Sequence, residues 1–134
     1  MHRISTQAGE PDESQIELIE QRPAPILFLT SASTDIATIS ETLDLETNKC
    51  WINKIRAIGI SELNHPSQID HYIATTAKDS ELILVRLLGG KNHWSYGLEQ
   101  LEVWSKEKGK RNIIIMSGVI ENELELHYIS TVSL

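Results

Sequence analysis

The sequence predicts a three-layer α/β domain of the flavodoxin-like or Rossmann-like kind, with a parallel sheet in strand order 2-1-3-4. Short apolar segments alternate along the chain with amphipathic helical patterns, which is typical of parallel sheets with helices on their faces. The most apolar segments are nearly continuous runs of apolar and β-favouring residues, as strands buried on both faces are. A chain of 134 residues is long enough for one such domain.

Residues 1–22 are polar and acidic, and we predict that they form an N-terminal arm. Within this arm, Ile16–Leu18 alternates in polarity, which fits either a short edge strand or an extended stretch. The domain itself is predicted to span residues 23–134. Its first strand is Ile26–Thr30, which follows two prolines and consists of apolar and β-favouring residues.

The loop after this strand, Ser31–Asp35, contains hydroxyl and carboxylate side chains that can cap a helix. We therefore predict a helix that begins near Ile36 and ends near Asp44. A second strand is predicted over Arg56–Leu63, where apolar residues alternate with others. Gly59 weakens that prediction, since glycine is unfavourable inside a strand.

The second half of the chain repeats the alternation. A helix is predicted over Ser67–Lys78, a third strand over Ser80–Leu88 and a fourth over 112–116. The third helix has an apolar face with helical spacing, formed by Trp94, Leu98, Leu101 and Trp104. Gly109 suits the position just after the end of that helix. A short helix is predicted from Leu124 to Tyr128.

Charge and composition narrow the classes of function. Twelve basic and nineteen acidic residues give a net charge of −7, which argues against nucleic acid and anionic membranes as partners. No apolar segment is long enough to span a bilayer, and the N-terminus lacks the apolar core of a secretory signal. The single cysteine, Cys50, excludes an internal disulfide and a cysteine-only metal site. A cytoplasmic location fits these features.

A ligand site is predicted at the carboxyl edge of the sheet. In the order 2-1-3-4 the strand order reverses between strands 1 and 3, and ligands of open α/β sheets bind at that switch point. The loops Ser31–Asp35 and Gly89–Tyr96 are therefore expected to converge on one face. The residues that we single out as ligand or interaction candidates are Thr34, Asp35, Arg86, Gly89, Gly90, His93, Trp94, Ser95 and Tyr96.

Several of these residues have two interpretations. Arg86 lies within an apolar strand, so it either pairs with an acid such as Asp35 or reaches a ligand at the strand end. Trp94 and Tyr96 either stack on a flat ligand or, for Trp94, begin the core face of the helix. His93 is a weak metal-ligand candidate, because no partner histidine or acid stands three or four residues later.

The remaining candidates are predicted to shape the backbone. Gly89 and Gly90 permit a tight turn or a close approach of the backbone to a ligand. Ser95 is predicted to cap the third helix. Neither of the standard glycine-rich phosphate loops is present, and we predict that the chain itself binds no cofactor.

Two segments resemble a known family. RLLGGKNHWSYGLE at 86–99 is similar to the pattern RLLGGxxxWSYGLE of the large subunit of aerobic cobaltochelatase, the CobN family, which is related to the H subunit of magnesium chelatase. PAPILFLTSASTDI at 23–36 resembles a second pattern of the same family. The opening MHRI and the closing Ser130–Val132 fit as well. The resemblance covers only the N-terminal part of the family's proteins.

The resemblance implies a role in metal insertion. Large subunits of this family bind a tetrapyrrole, and two AAA-type partner subunits hydrolyse ATP with Mg²⁺. In the cobalt branch Co²⁺ enters hydrogenobyrinic acid a,c-diamide on the way to cobalamin, whereas the magnesium branch acts on protoporphyrin IX. Most of the family's tetrapyrrole cavity is expected to lie beyond this region.

We therefore expect this chain to be an N-terminal domain or fragment of a cobaltochelatase large subunit, a truncated or split product that is not catalytic alone. Its expected partners are the remainder of the large subunit, the two AAA-type subunits and the tetrapyrrole. Two alternatives are a small stand-alone binding or interaction module and a magnesium chelatase fragment. A folded remnant without activity is a further possibility.

Overall fold

Strands and helices alternate along the chain in the computed structural model, which describes residues 16–88 and 93–117. The strands are β1 (Ile26–Thr30), β2 (Ile55–Gly59), β3 (Leu82–Leu87) and β4 (Asn112–Ser117). The α-helices are α1 (Ser33–Leu43), α2 (Pro66–Thr75) and α3 (Ser95–Glu107). Two 3₁₀ helices, Glu46–Trp51 and Ile60–Leu63, lie before and after β2.

The four strands form one parallel sheet in the order β2-β1-β3-β4. This confirms the predicted fold class and strand order. In the register of the sheet, Thr30 at the end of β1 stands beside Arg86 of β3. The strand order therefore reverses between β1 and β3, and the predicted switch point lies next to these two residues.

The core lies between one face of the sheet and the layer formed by α2 and α3. Alternate strand residues are fully buried, among them Leu27, Leu29, Ile83, Val85 and Ile113, each at most 1% exposed. The predicted apolar face of α3 belongs to the same core, which confirms that prediction. On the opposite face the intervening residues are half-buried except Thr30, which is 1% exposed, and α1 has no fully buried residue.

Two predicted boundaries are wrong for local reasons. The second strand ends at Gly59, because the chain then turns into the 3₁₀ helix that buries Ile60 and Leu63. Helix α1 begins at Ser33, before Ile36, and no side chain caps it. Alternating apolar residues predict a longer strand here, but a 3₁₀ turn buries residues at a similar spacing, so the pattern does not distinguish the two.

Residues 16–24 form an extended stretch without a strand and pack over α2. The side chain of Gln21 donates to the carbonyl oxygen of Ala57 (3.0 Å) and accepts from the Tyr72 hydroxyl (2.8 Å). The backbone carbonyl of Gln21 accepts from Thr76 (2.8 Å). The boundary between arm and domain at residue 22 remains a prediction, and the predicted helix from Leu124 to Tyr128 lies outside the described residues.

The end of α3 differs in detail from its prediction. Lys108 caps the helix in an extended conformation, and Gly109 follows it at the expected position. The positive φ of this turn, however, belongs to Lys110, at 67°. The side chain of Arg111 then returns to α3 and donates to the carbonyl oxygen of Trp104 (2.7 Å).

Candidate functional site at the carboxyl edge of the sheet

Three side chains meet at the switch point between β1 and β3. Nη1 of Arg86 donates to both carboxylate oxygens of Asp35, at 2.6 and 2.7 Å. The hydroxyl of Thr30 donates to Oδ2 of Asp35 (2.7 Å) and accepts from the backbone N–H of Ala32 (3.0 Å). Of the two interpretations of Arg86, the structure shows the pairing with Asp35.

Backbone contacts bring the two loops together at the same edge. The N–H of Ser31 donates to the carbonyl oxygen of Arg86 (3.0 Å), and the N–H of Leu88 donates to Oγ of Ser31 (2.9 Å). The first loop therefore runs directly beside the end of β3. Gly89 and Gly90, which come next, lie outside the described residues.

The hydrogen bond from Arg86, assisted by that from Thr30, lowers the pKa of the Asp35 carboxyl below its ordinary value. Partial burial opposes this effect, and the charge of Arg86 adds to it. A carboxylate that is held ionised by two donors is a poor general base, because proton uptake breaks both bonds. The arrangement therefore braces the loop that follows β1 against β3.

Replacing Asp35 with asparagine is expected to lower the free energy of unfolding by about 1–2 kcal/mol at pH 7. Water screens the pair, since the Arg86 side chain is 39% exposed, so the loss is modest. Because the pKa of Asp35 is lowered in the folded state, its stabilisation is present above the ordinary carboxyl value and is lost as pH falls through the folded value. Urea unfolding should therefore show that the difference in free energy of unfolding between the wild type and Asp35→Asn becomes smaller below about pH 4.

The matched control is Glu102→Gln, which removes an exposed ion pair with Lys106 (3.3 Å) one helical turn away. Such pairs contribute less than about 0.5 kcal/mol, so this variant should follow the wild type at every pH. If Asp35→Asn differed from the wild type in free energy of unfolding by as much at pH 3 as at pH 7, the ionised pair would contribute nothing to stability.

Trp94 packs in the core. Its side chain is 6% exposed, and Nε1 donates to the carbonyl oxygen of Leu63 (2.9 Å). Trp94 is also the N-cap residue of α3, and no side chain caps this helix end. The prediction that Ser95 is the cap is wrong: Ser95 is the first helical residue, because the fixed position of the indole places the helix start one residue earlier.

The other described candidates have other partners or lie on the surface. The hydroxyl of Tyr96 donates to Asp70 of α2 (2.8 Å), and this hydrogen bond raises the pKa of the Tyr96 phenol. Thr34 and His93 are exposed. The structure thus brings Asp35 and Arg86 together, while Trp94 and Tyr96 join the start of α3 to Leu63 and α2.

Two important residues were missed by the sequence-based prediction. Thr30 completes the polar cluster, and its position at the end of an apolar strand was the available signal. Gly97 lies under the Trp94 ring, where an added Cβ would stand 2.2 Å from the nearest ring atom. A glycine inside a helical pattern is the signal of such a close approach.

Metal ligands do not gather in the described part of the chain: across residues 16–88 and 93–117, no three histidine, cysteine, aspartate or glutamate side chains form a group. None of the helices in those two ranges is long and apolar enough to cross a membrane.

These features define a class: a parallel α/β domain in which a salt bridge joins the first turn of α1 to the end of β3 at the switch point and a tryptophan anchors the third helix. Comparison with known proteins identifies its relatives. The chain is 33% identical over 102 residues to the aerobic cobaltochelatase subunit CobN of a Sinorhizobium species. It is 29% identical over 103 residues to the subunit of the same name from Pseudomonas aeruginosa. Each match covers 75% of this chain.

The chain is thus a relative of the CobN subunits of aerobic cobaltochelatases, and the resemblance inferred from its motifs is confirmed. It spans 8% of the length of each of these relatives. No protein-family model matches the chain.

A solved structure has the same fold. The catalytic subunit of cobaltochelatase from Mycobacterium tuberculosis superposes with a TM-score of 0.57 over 83% of this chain and 8% of that subunit, at 21% identity. At this identity the match supports the shared fold only.

Proposed function

We propose that this chain is a domain of the large subunit of a cobaltochelatase-type assembly, corresponding to its N-terminal portion, and that it does not insert metal by itself. The observation that carries the proposal is the match to CobN subunits over 75% of this chain but only 8% of their length. A segment of this size is one domain, whereas a tetrapyrrole cavity in proteins of that length draws on much more of the chain.

The geometry supports a structural role. The residues of the two motifs that resemble the family mainly serve packing: Arg86 braces a loop through Asp35, and Trp94 anchors α3 to Leu63. In this proposal the domain presents a rigid surface to the rest of the subunit, and Co²⁺ and the tetrapyrrole bind elsewhere in the assembly. Cobalt is proposed over magnesium because both curated relatives are named cobaltochelatase subunits.

The proposed reaction is insertion of Co²⁺ into hydrogenobyrinic acid a,c-diamide in cobalamin biosynthesis, with ATP hydrolysed on two AAA-type subunits. The test compares three proteins in a cobalt-insertion assay with those subunits, ATP, Mg²⁺ and the tetrapyrrole. The first is the Sinorhizobium CobN in which this chain replaces the matching 102 residues. The second is the same subunit without that segment, and the third is this chain alone.

The chimera is expected to insert cobalt, the shortened subunit to lose at least about tenfold in rate, and the isolated chain to show no turnover above the uncatalysed background. Full activity of the shortened subunit would contradict a role for this domain. Cobalt insertion by the isolated chain would contradict the proposal that it is not catalytic alone.

A further inference from the structure

The segment between α1 and β2 carries three large apolar side chains that are exposed to solvent. Leu45 is 56% exposed, Trp51 44% and Ile52 39%. We call these three residues the Trp51 patch. The core draws on none of them, although tryptophan is among the residues that contribute most when buried.

The indole of Trp51 is held in place from one side. Nζ of Lys54 lies 5.4 Å from the centroid of the Trp51 ring, within the range of a cation–π interaction. The backbone N–H of Lys54 also donates to the carbonyl oxygen of Trp51 (2.9 Å). The backbone hydrogen bond closes a turn from Trp51 to Lys54, and this turn places the ammonium of Lys54 over the indole.

The neighbouring backbone is held as well. Nη1 of Arg56 donates to the carbonyl oxygens of Ile52 (2.8 Å) and Ile55 (3.1 Å). An exposed tryptophan in an ordered turn loses little conformational entropy when it binds, which is the property of an interface anchor.

Size and charge indicate the kind of partner. The surface area of three side chains is far smaller than the roughly 1,000 Å² that a stable interface between independent proteins buries. Such a patch is sufficient when the partner is tethered, because the effective concentration is then high. The segment that carries the patch, Leu45 to Arg56, contains three basic residues and one acid in a chain of net charge −7, so a complementary surface has acids around an apolar pocket.

We propose that the Trp51 patch docks into an apolar, acid-rimmed pocket on the remainder of the large chelatase subunit, an inference that rests on the proposed function. In the relatives the matched 102 or 103 residues are 8% of a longer chain, so in those proteins the matched domain is tethered to the remainder of the subunit. Trp51 enters the pocket, and Lys54 faces the acidic rim.

The test measures binding of this chain, added in trans, to the Sinorhizobium CobN that lacks the matching 102 residues. Trp51→Ala and the charge reversal Lys54→Glu are each expected to weaken the Kd at least about tenfold. The control Val103→Ala truncates an apolar side chain of α3 that is 51% exposed, and its Kd should equal that of the wild type. Circular dichroism and thermal unfolding establish that each variant is folded.

Cys50, the only cysteine of the chain and exposed beside Trp51, supplies a second measurement that needs no substitution. Its rate of labelling by a maleimide, followed by peptide mass spectrometry, is expected to fall at least about tenfold on binding, because a docked patch excludes the reagent. An unchanged labelling rate would overturn the proposal.

The other outcomes are equally decisive. If Trp51→Ala left binding unchanged, the proposal that the Trp51 patch is the docking surface would be overturned, while the proposed function would stand. Absence of binding by the wild-type chain, together with an inactive chimera, would overturn both. A Trp51-dependent dimer in sedimentation, or Trp51-dependent binding to vesicles with anionic lipid, would assign the patch to a different occupant.

Discussion

Replacing Gly97 with alanine is expected to lower the free energy of unfolding by about 3 kcal/mol, even though the same change in an exposed helix usually stabilises by about 1 kcal/mol. The added Cβ would lie 2.2–2.5 Å from three atoms of the Trp94 ring. The ring cannot move aside freely, since it is buried and Nε1 is bonded to Leu63. The variant therefore loses either the packing of the indole or its hydrogen bond.

The measurement is urea unfolding followed by far-ultraviolet circular dichroism, together with thermal unfolding, where a fall in Tm of about 10 °C is expected. Gly109→Ala is the matched control, because a Cβ there meets no atom within 4 Å. It should change the free energy of unfolding by no more than about 0.5 kcal/mol. If Gly97→Ala were as stable as Gly109→Ala, the indole would not be confined as the structure shows.

Replacing Trp104 with alanine is expected to cost about 4 kcal/mol, a large part of the 5–15 kcal/mol that ordinarily stabilises a domain. The side chain is 1% exposed, and Nε1 donates to the carbonyl oxygen of Ala77 (2.8 Å). The guanidinium of Arg111 lies 4.7 Å from the ring centroid and donates to the carbonyl oxygen of Lys78 (2.6 Å). The indole thus joins α3 to the turn between α2 and β3.

Val103→Ala is the neighbouring control, because this side chain is 51% exposed and its truncation should cost less than about 0.5 kcal/mol. The loss of stability for Trp104→Phe should lie between those for Trp104→Ala and Val103→Ala. Phenylalanine keeps most of the buried volume but leaves the carbonyl oxygen of Ala77 without its donor. The same urea unfolding experiment compares all three variants. A loss for Trp104→Ala within 1 kcal/mol of the loss for Val103→Ala would refute the assignment.

The motif that resembles the CobN family has a structural explanation in these contacts. Trp94 lies over Gly97, and Tyr96 bonds to Asp70, so three residues of the motif hold the first turn of α3 against its neighbours. Arg86, at the other end of the motif, binds Asp35 of the second motif. The two segments that carry the resemblance are therefore in direct contact through their side chains.

The fold was predictable because its signals are local and additive. Continuous apolar segments such as Ile26–Thr30 predict buried strands, and the spacing of Trp94, Leu98 and Leu101 predicts a buried helix face. Helix ends were less predictable. Ser95 is a favourable cap by residue type, but a cap also requires a backbone conformation that the packing of Trp94 assigns to its own position.

The candidate site was predictable in location but not in detail. Strand order and the two polar loops placed it at the switch point, where Asp35 and Arg86 do lie. The sequence left open whether Arg86 meets an acid or a ligand, because both satisfy a half-buried cation equally well. Its function as a ligand site remains a prediction.

The sequence by itself determined the class of fold, the strand order and the resemblance to the CobN family. Hydrophobic periodicity and sequence motifs carry this information, and both are properties of residues that are close together in the chain. Only the tertiary structure decided which partners the key side chains take. Arg86 and Asp35 are 51 positions apart, and Trp94 and Leu63 are 31 apart. Contacts at such separations depend on how the sheet and helices pack as a whole, which no local pattern encodes.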